Sequence, residues 1–285
     1  MAILQERVYL NEQDGWGYFD AICSLPTTEY KEKRRALLVI PGGGYGMVSE
    51  REAEPIARKF YAEGYNTFIL KYSVTNYGND PKNIFDKKRG LPKPLLEASK
   101  AMALIRRNAE KYNIDPDKIA IIGFSAGGHL CATLATMWHL DFVKENAGIE
   151  YGENKPNAAI LSYPVIMADP AIGHEGSFKN LLNSSEDYEK DLQLYNPLNH
   201  VDQNTCPCFF WHTAGDTCVP VESSLYMSAA LSKAKIPFEA HIYPGGVHGY
   251  STCEADVMQG KQTKDALHAS DWVRSAVRWL EYTLG

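Results

Sequence analysis

Lys118-Ile-Ala-Ile-Ile-Gly-Phe-Ser-Ala-Gly-Gly-His-Leu-Cys-Ala-Thr-Leu-Ala135 decides how this chain is read. Its first seven residues are a short apolar, β-branched run, the pattern of a strand buried on both faces. Gly128 to Ala135 follow with helix-forming residues at helical spacing. Between the two, Gly123-Phe124-Ser125-Ala126-Gly127 fits Gly-x-Ser-x-Gly. Where a strand turns directly into a helix, backbone and side chain crowd so closely that only glycine fits beside the serine. The hydroxyl is then left exposed on a strained elbow. The competing reading is a structural serine in an ordinary turn, and the flanking strand and helix favour the elbow.

A nucleophilic serine needs a base, and the base needs an acid to orient it. One order in which such triads occur is serine, then Asp or Glu after a later strand, then histidine near the C-terminus. Asp216 follows the apolar run Cys208 to Ala214 and precedes Val219-Pro220, which places it at a strand end. His248 lies in Gly245-Gly-Val-His-Gly-Tyr250, beyond the last expected strand. The other histidines fit less well. His129 sits one helical turn beyond Ser125 and should brace the elbow. His212 and His241 lie within strands and read as packing residues, while His139, His174, His200 and His268 have no strand-end position.

Acyl transfer develops a negative oxygen that requires preorganised donors. Pro41-Gly42-Gly43-Gly44-Tyr45 follows an apolar run at 36–40, where glycines let backbone amides turn inward. The three glycines, Gly42 to Gly44, are the candidates there, with the Ala126 amide as the second donor. A nucleotide site fits poorly. From Gly44 the pattern runs Gly-Tyr-Gly-Met-Val-Ser, no Gly-Lys-Ser/Thr follows, and the next strand ends Lys71-Tyr72-Ser73 without an acid for a ribose.

Working outward, apolar runs at 36–40, 66–74, 118–124, 158–165, 208–214 and 238–244 alternate with longer amphipathic segments, the rhythm of crossovers onto a parallel sheet. Helices are expected over 95–112 and, without a break, over 266–284. Val8-Tyr-Leu10 and Tyr18 to Leu25 should pair antiparallel around Gly15-Trp16-Gly17. Two polar excursions, 75–94 and 167–207, read as functional loops. One domain over 1–285 accommodates all of this.

Among 285 residues, Lys plus Arg number 29 and Asp plus Glu 35, so the net charge of −6 disfavours nucleic acid and anionic membrane surfaces as partners. Glu6 and Arg7 interrupt the apolar stretch a signal peptide needs, so a cytoplasmic location is expected. Six cysteines without a CxxC pair predict free thiols rather than a disulfide framework or a zinc site, and no metal is expected.

With GGGY, GFSAGGHL, AGDTCVPVE and VHGY in order, the sequence resembles the α/β-hydrolase superfamily, and within it the small carbohydrate (xylan or sugar) acetyl esterases related to hormone-sensitive lipase. The likeness runs over about residues 36–283. It implies an α/β-hydrolase fold: a central, mostly parallel, eight-stranded sheet with helices on both faces. It also implies Ser125 as nucleophile, Asp216 as acid, His248 as base, and Gly43, Gly44 and Ala126 around the oxyanion. Pro41 stands where hormone-sensitive-lipase relatives usually carry histidine, and the residues before the first strands leave no room for their helical cap. Both departures favour the sugar-esterase side.

The reading is therefore a serine carboxylic ester hydrolase that removes short acyl groups. Its small-molecule substrate is an acetylated sugar or xylo-oligosaccharide, and it needs no cofactor. Tyr45, Phe124 and Tyr163 are the candidate substrate contacts; Tyr77, Trp211 and Tyr250 could add to an aromatic platform. Two alternatives remain open: an amide, formamide or peptide hydrolase with the same triad, and a ligand-binding protein whose triad is misaligned.

Overall fold

The structure, a computed structural model, describes residues 2–11, 17–29, 31–75, 90–167, 169 and 173–285. Eight strands form one sheet: β1 (Ile3–Tyr9), β2 (Tyr18–Ser24), β3 (Arg34–Ile40), β4 (Asn66–Lys71), β5 (Ile114–Phe124), β6 (Ala158–Ser162), β7 (Cys208–Thr213) and β8 (Phe238–Tyr243). Their spatial order is β1-β2-β4-β3-β5-β6-β7-β8. The first three pair antiparallel, and from β4 onward every pairing is parallel. The order reverses beside β3 and β5, and at such a switch point the carboxyl ends of the strands open a crevice.

The parallel strands are apolar on both faces because both are covered. In β3, Ala36, Leu38 and Ile40 join one core cluster, while Leu37 and Val39 join another. That alternation is the period of two along a strand. The first cluster is closed by α2 (Lys93–Arg107), α3 (Ala126–Met137) and α7 (Glu222–Ala234). The second is closed by α1 (Glu54–Ala62), α8 (Lys264–Ala269) and α9 (Trp272–Leu284). α3 is buried along its whole length, which fits an element followed and preceded by core. β8 differs from its neighbours: it is an edge strand, and exposed Phe238 and Ile242 break the two-face rule.

Three expectations change. α2 stops at Arg107, and a turn carries the chain on to Tyr112. The terminal helix divides after Ala269, where Ser270 Oγ donates to Leu267 O, a side-chain bond that competes with helix continuation. The excursion after β6 is not a plain loop. It holds α4's successors α5 (Glu175–Leu181) and α6 (Tyr188–Leu194), α4 itself being Asp141–Ala147, and a short 3-10 turn at Pro197–His200. Most of the 75–94 excursion, including Tyr77 and Phe85, lies outside the described residues, as do Gly15 and Trp16 of the expected hairpin turn. Five cysteines are buried, Cys218 is exposed, and all six are free. Among the described residues no helix is long and apolar enough to cross a membrane, and no cluster of side chains could hold a metal ion.

Candidate active site

β5 runs into α3 through Ser125 alone, with φ 54° and ψ −120°. The turn is locked by main-chain bonds: Ser125 N–H to Ser162 O at 3.1 Å, Val165 N–H to Ser125 O at 3.0 Å and His129 N–H to Ser125 O at 3.1 Å. Both flanking glycines are obligatory on steric grounds. A Cβ at 123 would lie 2.2 Å from Gly127 O, and one at 127 would lie 2.2 Å from Ile40 O. The tightness of the elbow is therefore a backbone property that the hydroxyl inherits.

From the ends of β5, β7 and β8 three side chains converge. Ser125 Oγ lies 2.8 Å from His248 Nε2, and His248 Nδ1 lies 2.6 Å from Asp216 Oδ2. Asp216 Oδ1 accepts the Cys218 and Val219 amides at 2.9 and 2.8 Å. Burial alone would raise the pKa of this carboxyl, but hydrogen bonds from His212, His248 and the Val219 amide outweigh it and hold it well below the usual carboxylate range. Asp216 is thus charged wherever an imidazole is neutral. An ionised acceptor at Oδ2 fixes the proton of His248 on Nδ1, leaving Nε2 to accept from the serine.

Beside the serine, the loop Pro41–Tyr45 is held from several sides. Tyr72 Oη donates to Pro41 O at 2.8 Å, and the Gly42 amide donates to Glu52 Oε2 at 2.9 Å. Asn180 Nδ2 of α5 donates to Gly44 O at 2.8 Å, and the Thr75 amide donates to Tyr45 O at 2.9 Å. Tyr45 Oη donates to His129 Nδ1 at 2.7 Å. Gly43 has φ 124° and a Cβ there would fall 2.1 Å from Met47 O, so no other residue fits. Among the described residues the amides of Gly43, Gly44 and Ala126 have no acceptor.

The aromatic candidates stand elsewhere than expected. Tyr45 is 2% exposed, Phe124 0% and Tyr163 2%, so none offers a ring face to a substrate. Tyr45, at φ 56°, turns its ring under its own loop onto Tyr72 and His129. Phe124 ends β5 on the face opposite the cleft, against Tyr163 and Trp272. Tyr163 meets the His248 ring edge-on at 5.0 Å and supports it from behind. Trp211 and Tyr250 are also buried in the second cluster.

His129 braces the elbow as its position suggests. Its Nε2 donates to Tyr195 O at 2.8 Å, so Nδ1 is the acceptor for Tyr45. Burial pulls its pKa down to about 4, against the opposing hydrogen bond to Tyr195 O. An unfolded histidine titrates near 6.5, so the unfolded chain binds the extra proton first as the pH falls. Stability should decline from pH 6.5 to pH 4 by about 3 kcal/mol from this group. Urea midpoints across that window test this, and His129→Gln should flatten the decline. A wild-type midpoint that does not move between those pH values would refute it.

Two histidines acquire roles their sequence positions did not suggest. His212, buried in β7, brings Nε2 to 3.4 Å from Asp216 Oδ2 while also donating to Val219 O at 2.9 Å. Its place four residues before Asp216 was the available signal. His174 caps α5, its Nδ1 accepting the Ser177 amide at 3.2 Å, and its Cε1 would lie 4.0 Å from a Cβ on Gly44. Its pKa is lowered by burial and by the nearness of His248, with Asp216 opposing. His174 therefore stands at the cleft, brought there by the path of the excursion after β6. By contrast, His241 sits half-buried on edge strand β8, paired with Glu239 at 2.6 Å rather than in the core.

A sheet of this order, with Ser125 on a tight turn after β5, Asp216 after β7 and His248 after β8, is that of an α/β hydrolase. The chain belongs to the BD-FAE family, whose model matches residues 24–231. It is 40% identical over 230 residues to endo-1,4-beta-xylanase B of Butyrivibrio fibrisolvens, a match covering 80% of this chain and 34% of that protein. It is 30% identical over 251 residues to the acetylxylan esterase of Xylanibacter ruminicola, covering 86% and 46% respectively. The chain thus spans a third to under half the length of these curated relatives. The crystal structure of the acetyl ester-xyloside bifunctional hydrolase from Caldicellulosiruptor lactoaceticus matches with a TM-score of 0.76 at 30% identity, over 97% of this chain and 96% of that one.

Proposed function

We propose that the chain hydrolyses short-chain carboxylic esters, with acetyl groups on xylo-oligosaccharides as its substrates. The observation that carries this reading is the unbroken run from Ser125 Oγ through the His248 imidazole to the Asp216 carboxylate, at 2.8 and 2.6 Å. In this mechanism His248 Nε2 takes the Ser125 proton as Oγ attacks the acyl carbon. The amides of Ala126 and of Gly43 or Gly44, which no acceptor among the described residues claims, stabilise the oxyanion together with the N-terminus of α3. His248 then gives its proton to the leaving alcohol. Water, deprotonated by the same imidazole, releases the acid from Ser125.

Support for acetyl over longer acyl groups lies in the wall above the oxyanion loop. Among the described residues it presents the polar side chains of His174, Ser177 and Asn180 to Gly44. Support for a sugar alcohol comes from the relatives named for acetylxylan and acetyl ester-xyloside hydrolysis. A lipase would gain about 0.8 kcal/mol, close to fourfold in rate, for each methylene it buries. Here kcat/KM across an aryl-ester series should peak at two to three carbons and fall steeply beyond, and acetate should be released from acetylated xylo-oligosaccharides. A maximum at eight carbons or more overturns the reading, as does preference for an acetanilide over the matching acetate ester.

A further inference from the structure

The mechanism gives no task to the buried carboxylate of Glu52. Glu52 ends a single 3-10 turn, Glu50–Glu52, on the rim of the cleft, yet it is only 4% exposed. Among the described residues no cation pairs with it. A carboxylate taken out of water is retained only when its oxygens are met by donors. Both are met here, and the two donors come from opposite sides of the active site.

On one side Glu52 Oε2 accepts the Gly42 amide at 2.9 Å. That amide belongs to the peptide whose carbonyl, Pro41 O, accepts Tyr72 Oη at 2.8 Å. The peptide plane that leads into Gly43 is therefore gripped at both ends. It lies against the nucleophile, since a Cβ on Gly42 would come within 2.9 Å of Ser125 Cβ. On the other side Glu52 Oε1 accepts Tyr163 Oη at 2.7 Å. The same phenol accepts the Ser251 amide at 3.1 Å, three residues beyond His248, and its ring packs edge-on against the imidazole.

We propose that Glu52 is a positioning residue for the hydrolysis: through Gly42 on one side and Tyr163 on the other, one carboxylate sets the oxyanion loop and the base loop in register with each other. The inference rests on the functional reading above. Each link is directional. A carboxylate offers acceptors to both donors, whereas a glutamine must turn its NH2 toward one of them and lose that link. Tyr163 cannot reverse its bond to compensate without giving up the Ser251 amide.

The test is Glu52→Gln beside Tyr163→Phe and the double variant, assayed on an aryl acetate. A misplacement of about 1 Å costs on the order of a hundredfold. For Glu52→Gln, kcat should fall about 30- to 100-fold, KM should stay within about threefold, and affinity for phenylboronic acid, which becomes tetrahedral on a serine hydroxyl, should fall in step with kcat/KM. Tyr163→Phe breaks only the base-side link and should cost about tenfold in kcat. The double variant should be no slower than Glu52→Gln alone, because both act through one path. A Glu52→Gln enzyme with kcat within threefold of wild type overturns the proposal, as does a loss in kcat with boronate affinity unchanged. Should Glu52→Gln fail to fold, Tyr163→Phe decides by the same criteria. If wild type neither hydrolyses the acetate nor reacts with a fluorophosphonate, the functional reading falls and this role falls with it. An active wild type with an unaffected Glu52→Gln sinks the positioning role alone.

Discussion

Ser125→Ala is expected to lower kcat for acetyl ester hydrolysis by about a million-fold and to abolish covalent labelling by a fluorophosphonate. The fold should persist, because the bonds that hold the elbow are made by main-chain atoms of residue 125, and among the described residues its hydroxyl bonds only to His248. What remains should be the modest acceleration that oxyanion donors and substrate binding give by themselves. Circular dichroism and a thermal melt matching wild type would assign the loss to chemistry. A variant keeping more than a hundredth of the wild-type rate would remove the serine from the mechanism.

For Asp216→Asn a fall in kcat of about ten-thousand-fold is expected, by the logic of a mis-set tautomer. The surroundings dictate how the amide must lie. Position Oδ1 accepts two backbone amides, from Cys218 and Val219, so the asparagine oxygen is pinned there. Its NH2 then faces the His248 Nδ1 atom that Asp216 Oδ2 now holds at 2.6 Å. Two donors cannot share that bond, and the imidazole must move its proton to Nε2, where it can no longer accept from Ser125. Raising the pH across the imidazole and carboxylate range should not restore the wild-type rate, because an asparagine at 216 has no carboxyl to ionise. A loss under tenfold would show that another group orients the base.

The convergence of Ser125, Asp216 and His248 was legible in the sequence because each follows a strand, and strand ends in a parallel sheet gather at one edge. KIAIIGF, CFFWHTA and FEAHIYP were apolar enough to read as strands, so Ser125, Asp216 and His248 fell into place by order along the chain. Side-chain direction was not legible. Tyr45 and Tyr163 follow strand ends in sequence, but positive φ at both turns their rings inward, where they brace loops instead of meeting substrate. Nor was the partnership of distant loops legible. Nothing near Glu52 announces a bond to Tyr163, 111 positions away, and His174 reaches the cleft only through the route taken by the excursion after β6. The break in the terminal helix at Ser270 was hidden because the apolar spacing continues across it.

The indole of Trp272, at the start of α9, stacks on Trp211 with ring centroids 4.6 Å apart, and its Nε1 donates to Ser251 O at 3.0 Å. α9 therefore fastens the segment that carries His248, while Ser125 lies 123 residues before that histidine. During synthesis from the N-terminus the elbow emerges long before the helix that completes the site. A growing chain, or one cut short before Trp272, would carry a serine with no imidazole in place beside it. Contacts of such long range form slowly and late. The His248 loop thus waits on α9, and the regain of ester turnover after denaturation should report the docking of α9 rather than the collapse of the sheet.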